Sequence, residues 1–211
     1  MSELIINWIA YLKKGRRKLT LFISLLVLSI VLFVFYRFLN FNEYRSGFPL
    51  NDPILNFFPP QDFSIFIFIL TYGFCLAGIL IAIRSPDKFI LLLQAYSLMT
   101  LLRMTSLYLI PLDPPAGIIP LHDVFLQNSF YAGRDNLRDL FFSGHTTTLF
   151  IFSFMFTGKK IRIVYILIAI VVGILIIWQH VHYSIDVLAA PIVAIMILWI
   201  LKKTKRIQQI N

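Results

Sequence analysis

The chain has 211 residues, 59% of them hydrophobic and only 14% charged, with a net charge of +9. Soluble globular domains carry about a quarter charged residues, so this composition excludes an ordinary soluble domain. The positive charge sits in short clusters beside apolar runs, a pattern that encodes membrane topology and argues against a nucleic-acid partner. A single cysteine, Cys75, lies inside an apolar run, so no disulfide forms within one chain and cysteine usage does not report the redox compartment.

Residues 1–18 form a basic N-terminal segment ending in Lys13, Lys14, Arg16, Arg17 and Lys18. The apolar run that follows lacks a small-residue cleavage pattern, so it reads as a retained first span and not as a removed signal peptide. Six spans are predicted, at 19–38, 63–83, 89–111, 143–158, 163–181 and 183–201. They make one all-α, polytopic six-helix bundle, a single domain over 1–211 with its core over 49–201. Nothing in the pattern sets an oligomeric state.

Between the first two spans, "NFNEYRSGFPLNDPILNFFPPQD" (40–62) has four prolines and reads as a loop on the outer interface. The segment 112–142 is the longest loop, and loops of that length are functional or disordered. Its aromatic and apolar content favours packing. The basic cluster before the first span, Arg84 with Lys88, Lys159 with Lys160 and Arg162, and Lys202, Lys203, Lys205 and Arg206 all fall on one side. That side is expected to be cytoplasmic, with both termini inside and His122, His145, His180 and His182 near the outer face. In a bacterium the membrane would be the plasma membrane; in a eukaryote a luminal face obeys the same rule.

Ionisable residues inside spans are costly and therefore functional candidates. Arg103 lies fifteen residues after Lys88, His145 fourteen before Lys159, and Asp186 sixteen before Lys202. At the helical rise these separations are about 22, 21 and 24 Å from the inner boundary. His182 is about 30 Å out. In a hydrocarbon core about 30 Å thick, three helices thus bring Arg, His, Asp and His to similar heights in the outer leaflet.

Each has a bland alternative. Arg103 can snorkel. Ser143 can simply cap the fourth span, with the threonines after it bonding back to the preceding turn. Trp178, His180 and Tyr183 suit an interfacial belt. That belt leaves Asp186 unexplained. His182 and Asp186 are four apart, so a shared helical face would let the carboxylate orient the imidazole as a base or nucleophile. A second histidine on another helix supplies a general acid, a pairing suited to phosphoryl transfer. Arg103 would neutralise a phosphate, and the amides opening the fourth span at Ser143 and Gly144 would add anion binding. Zinc is the rival use, but no HExxH or cysteine-based spacing is present and Arg103 would repel a cation.

"SGHT" (143–146) and "HYSID" (182–186) together resemble the type-2 phosphatidic acid phosphatase superfamily, and more closely its sphingomyelin synthase branch. "PLNDPILNFFPPQDFS" (49–64) is similar to that branch's proline-rich outer loop, and "LLRMTSLYLIPLDPP" (101–115) to its Arg-Thr-Pro motif. "RDLFFSGHT" (138–146) resembles its Asp-x-x-x-Ser-Gly-His-Thr motif, with Asp139 at the matching place. The resemblance spans residues 49 to 190.

It implies an outward-facing lipid site in which His182 forms a phosphohistidine, Asp186 orients it and His145 serves the leaving alcohol, with no metal or other cofactor. Arg103, Asp139, Ser143, Gly144 and Tyr183 would bind the phosphate or headgroup. The phosphatase branch's Lys-x6-Arg-Pro motif is absent; Ile176 stands where it has an arginine, and Phe142 where it has a proline. Phosphate binding would then fall to Arg103 with Arg134 or Arg138. The implied partners are a membrane phospholipid or sphingolipid and a lipid alcohol acceptor. A lipid phosphate phosphatase and a non-catalytic lipid-binding membrane protein are the alternatives.

Overall fold

The computed structural model describes residues 3–121 and 136–210; His122 and Arg134 lie outside the described residues. The described chain forms seven α-helices: α1 (Glu3–Leu12), α2 (Gly15–Glu43), α3 (Ser64–Ala82), α4 (Pro86–Leu109), α5 (Gly144–Met155), α6 (Lys159–Trp178) and α7 (Ser184–Ile210). A 3-10 turn over Leu55–Phe57 interrupts the first long loop, and no strand occurs among the described residues beyond an isolated bridge between Phe48 and Leu112.

Five helices, α2, α3, α4, α6 and α7, are long and apolar enough to cross a bilayer. The protein is therefore an all-helical, multi-pass membrane protein. The expected span at 143–158 differs from the rest. It is the 12-residue helix α5, about 18 Å long and shorter than a hydrocarbon core of about 30 Å. Its apolar character serves protein packing: every residue from Thr146 to Ser153 is buried. α5 packs most extensively against α6 and α7, and α2 against α4. Where α3 meets α5, Gly78 lets the Phe152 ring lie against the helix; a methyl there would sit 2.6 Å from ring carbons. Phe152, Phe156 and Tyr165 cluster with centroids 5.4–5.9 Å apart, and the Tyr165 hydroxyl donates to the Phe74 carbonyl at 2.8 Å.

Other boundaries also move. The loop expected to begin at residue 40 begins after Glu43, because α2 runs to Glu43. There Asn42 Nδ2 donates to the Arg138 carbonyl at 2.9 Å, and Glu43 Oε2 accepts from the Leu137 and Arg138 amides at 3.1 Å. The last turn of α2 thus clamps the segment that leads into α5. Within the basic N-terminal segment α1 forms a separate helix. Trp8 fixes it to the α3–α4 turn, donating from Nε1 to the Ile83 carbonyl at 2.7 Å and meeting the Phe89 ring edge-on. Ser85 and Pro86 open α4 with Asp87 in its first turn, a start that suits both proline and the helix dipole.

Candidate active site

The outer loops are held onto the start of α7. Asp52 Oδ1 accepts from the Ile54 amide at 3.0 Å, and its Oδ2 from the Ser184 amide at 2.6 Å. A loop carboxylate 132 residues away therefore caps the helix that carries Asp186, where the dipole favours negative charge. Tyr183 is buried. Its hydroxyl donates to the Asp113 carbonyl at 3.0 Å and accepts from the Leu50 amide at 3.2 Å. Burial raises its pKa above the usual tyrosine range, so it stays a donor. Tyr183 thus fastens the two outer loops together.

Gln179 does the same work at the end of α6. Fully buried, it accepts from the Phe63 amide at 2.8 Å and donates to Ser64 Oγ at 2.9 Å and to the Ile119 carbonyl at 3.1 Å. Removing the Asp52 cap tests this scaffold. Asp52→Ala is expected to lose about 1–2 kcal/mol of stability and to lower turnover, since Ser184 is two residues past His182. An unchanged melting temperature in detergent would show that the cap does not hold α7.

His182 Nδ1 lies 3.2 Å from Asp186 Oδ2, with both side chains buried. The contact does not arise from a shared helical face, because His182 precedes α7, which begins at Ser184. Instead Asp186 folds back over the helix start, and the same Oδ2 accepts from the Tyr183 amide at 3.1 Å. With Nδ1–H donated to the carboxylate, the Nε2 lone pair of His182 is free to act as nucleophile or base. Asp186 Oδ1 is buried with no hydrogen-bond partner among the described residues.

The start of α5 joins this dyad. The Ser143 amide donates to the Asp186 carbonyl at 3.1 Å. Ser143 does not cap α5 through its side chain. Its carbonyl takes the Thr147 hydroxyl at 2.7 Å, while its own hydroxyl is buried with no partner among the described residues. Thr148 bonds back to the Gly144 carbonyl at 2.8 Å. His145 follows at once and is half-buried.

Arg103 reaches the same place from α4. It is 5% exposed and so does not snorkel outward. Nη1 donates to the Phe142 carbonyl at 2.9 Å, and Nη2 pairs with Asp139. The guanidinium lies directly over Gly144: a methyl there would overlap Nη1 and sit 2.9 Å from Cζ. Ser106, one turn on, donates to the Phe141 carbonyl at 2.8 Å. α4 therefore grips Asp139, Phe141 and Phe142, just ahead of Ser143.

Of the residues singled out in the sequence, the fold links Arg103, Asp139, Ser143, Gly144, His182 and Asp186 through this continuous set of contacts, with His145 beside them. Arg138 is diverted to an ion pair with Asp113. Arg134 lies outside the described residues. Sequence reasoning missed Asp52, Gln179 and the Asn42–Glu43 clamp. Only Gln179 left a local signal, as an amide at the end of a run of hydrocarbon.

Residues 138–204, about a third of the chain, match the family model of the PAP2 superfamily C-terminal domain. The match covers both "SGHT" and "HYSID". It supports the PAP2 superfamily, whose members are phosphoesterases and phosphotransferases, and does not reach the sphingomyelin synthase branch. No curated protein matches the chain.

Proposed function

We propose that this protein is an integral-membrane enzyme that cleaves or transfers a phospho-headgroup on a membrane phospholipid or sphingolipid, in the manner of the sphingomyelin synthases. The observation that carries the reading is the buried His182–Asp186 dyad at 3.2 Å, tied through the Ser143 amide to the helix that presents His145. His182 Nε2 attacks phosphorus, the bond from phosphorus to the leaving alkoxide breaks, and His145 gives that oxygen a proton. Asp186 holds the His182 ring and stabilises its positive charge. An acceptor oxygen then bonds to phosphorus as its proton passes to His145, and the phosphorus–nitrogen bond to His182 breaks. No cofactor enters the scheme.

Arg103 serves this site by setting the Phe142 carbonyl and Gly144, and it binds phosphate by exchanging Asp139 for the substrate oxyanion. A guanidinium suits that exchange because carboxylate and phosphate present similar paired oxygens. In this reading α5 is the core of the sixth crossing, both termini are cytoplasmic and the site opens on the extracytoplasmic or luminal face. Transferase and hydrolase differ only in the acceptor, a lipid alcohol or water.

The test is a turnover assay on purified protein with a panel of phospholipids, with and without added ceramide or diacylglycerol, and products identified by mass. Loss of donor lipid is expected with at least one headgroup. A new phospholipid in the presence of the alcohol identifies transfer, and a released phosphate or phospho-alcohol identifies hydrolysis. An intact panel, with lipid bound but unchanged, would favour the non-catalytic alternative.

A further inference from the structure

The basic end of the bundle carries a helix that the phosphoryl chemistry does not use. α1 does not continue into α2, because Lys14 between them is extended, with φ −92° and ψ 112°. Trp8 fixes α1 to the turn from α3 to α4, through the Ile83 carbonyl and the Phe89 ring. Ile83 directly follows α3, and Phe89 lies in the first turn of α4. Both helices are long enough to span, so α1 is held at the level where the bundle leaves hydrocarbon. Arg103 lies seventeen residues beyond Pro86 on α4, about 26 Å at the helical rise, which makes this end remote from the candidate active site.

α1 has three faces. Trp8 and Tyr11 form the docked one: Tyr11 is buried and meets the Trp8 ring edge-on. Leu12, Ile5, Ile9 and Ile6 fall within an arc of about 120° on the helical wheel, and they are 40–49% exposed. Glu3 and Asn7 share the remaining side. A core helix would cover those four aliphatic side chains, and a water-facing helix would not carry them. A helix with one polar and one apolar face suits the plane of a membrane interface, with its apolar arc at the acyl-chain boundary.

The charges beside it select the kind of interface. Lys13, Lys14, Arg16, Arg17 and Lys18 follow α1 directly, and all five are exposed. The Arg17 guanidinium lies over the Tyr11 ring at 5.1 Å, which brings the start of α2 against α1. Arg84 and Lys88 flank the turn that holds Trp8. None of these cations forms an ion pair among the described residues. Orienting the chain during insertion explains the sign of the cluster. It leaves unexplained why a separate helix is docked there with four aliphatic side chains bare. An apolar arc alone would sit on any lipid, whereas clustered lysine and arginine at the same level favour an acidic one.

We propose that α1 and the basic turn after it form a docking surface for anionic phospholipid. Ile5, Ile6, Ile9 and Leu12 lie among the acyl chains of the surrounding leaflet. Lys13, Lys14, Arg16 and Lys18 take its acidic headgroups. The surface is separate from the site that holds His182, and it stands whether or not that site turns over lipid.

The experiment measures hydrogen exchange of the α1 amides in the full chain, with one copy per lipid nanodisc. Discs of phosphatidylcholine are compared with discs of phosphatidylcholine and phosphatidylglycerol in equal amounts. Exchange over Leu4–Leu12 should slow by about 10-fold or more in the acidic discs, and high salt should remove most of that gain. A quadruple variant, Lys13→Gln, Lys14→Gln, Arg16→Gln and Lys18→Gln, should exchange alike in the two kinds of disc. The pair Ile5→Gln and Ile9→Gln keeps the basic cluster, the Trp8 anchor and good helix formers. It should lose protection in both kinds of disc. Equal wild-type exchange in the two compositions would overturn the proposal, as would an acidic-disc gain that survives high salt or the quadruple variant. Wild-type protection in the isoleucine pair would take the apolar arc out of the lipid and overturn it as well. Protection that appears only with two copies per disc would assign the arc to a second copy of the chain instead.

Discussion

His182→Ala is expected to abolish lipid turnover, by at least about 10³-fold, and to leave no labelled phosphoprotein. The size follows from its place in the scheme: without Nε2 there is no covalent intermediate, and direct attack by an outside oxygen lacks an oriented nucleophile. A stability control is needed because the ring is buried against Asp186. Its removal leaves the Asp186 carboxylate with only the Tyr183 amide among the described residues, and an under-solvated buried carboxylate is destabilising. His182→Gln supplies that control. Its amide can still donate to Asp186, so it should melt near the wild-type temperature while losing the same activity. Turnover retained in His182→Gln would sink the nucleophile assignment. His145→Ala should differ in a telling way, losing activity on a lipid whose leaving alkoxide needs a proton and regaining much of it with a nitrophenolate leaving group.

Gly144→Ala is the second large effect, and it tests packing before chemistry. A methyl at residue 144 would overlap Arg103 Nη1 and lie 2.9 Å from Cζ. The guanidinium cannot simply retreat, since it is held by Asp139 and by the Phe142 carbonyl. Overpacking of this kind costs about 1–3 kcal/mol, and breaking a buried ion pair costs about 3–5 kcal/mol. A loss of roughly 2–4 kcal/mol is expected, between relaxation by a small shift and full rupture. Activity should fall with it, because His145 is the next residue. Gly73→Ala is the matched control. It lies in α3 with nothing within 4 Å of the added carbon, so it should be neutral or stabilising by up to about 1 kcal/mol. If Gly144→Ala melts like Gly73→Ala, Arg103 does not rest on that helix start. In the double variant with Arg103→Ala the Gly144→Ala penalty should largely vanish, since the two sites are in contact.

Much of the helical layout was legible from hydropathy alone, because a bilayer requires long apolar helices whatever they pack against. The α5 segment shows where that logic stops. An apolar run reads the same whether hydrocarbon faces it or other helices do, so hydropathy does not tell what surrounds 143–158. The structure makes it a short buried helix surrounded by protein. The Ser143 hydroxyl is a similar case: local rules favour a cap, yet the fold buries it and uses the serine amide and carbonyl instead.

The amino-acid pattern carries the membrane class and a short list of polar residues in the wrong solvent: Arg103, His145, His182 and Asp186 stand out because each is costly in hydrocarbon. It also draws in Asp139, Ser143 and Gly144 through the resemblance of "RDLFFSGHT" (138–146) to one motif. Their partners come from the fold. Arg103 meets Asp139 across 36 residues, and Asp52 caps α7 across 132. No local periodicity encodes either pairing, because both depend on where the outer loops land. The His182–Asp186 contact needed the chain to turn before α7 began, and His180 needed a left-handed turn that a helical reading cannot anticipate. Propensity and hydropathy act over a few residues, whereas these pairings are a product of loop closure, and that is why the polar residues stand out in the sequence and their geometry does not.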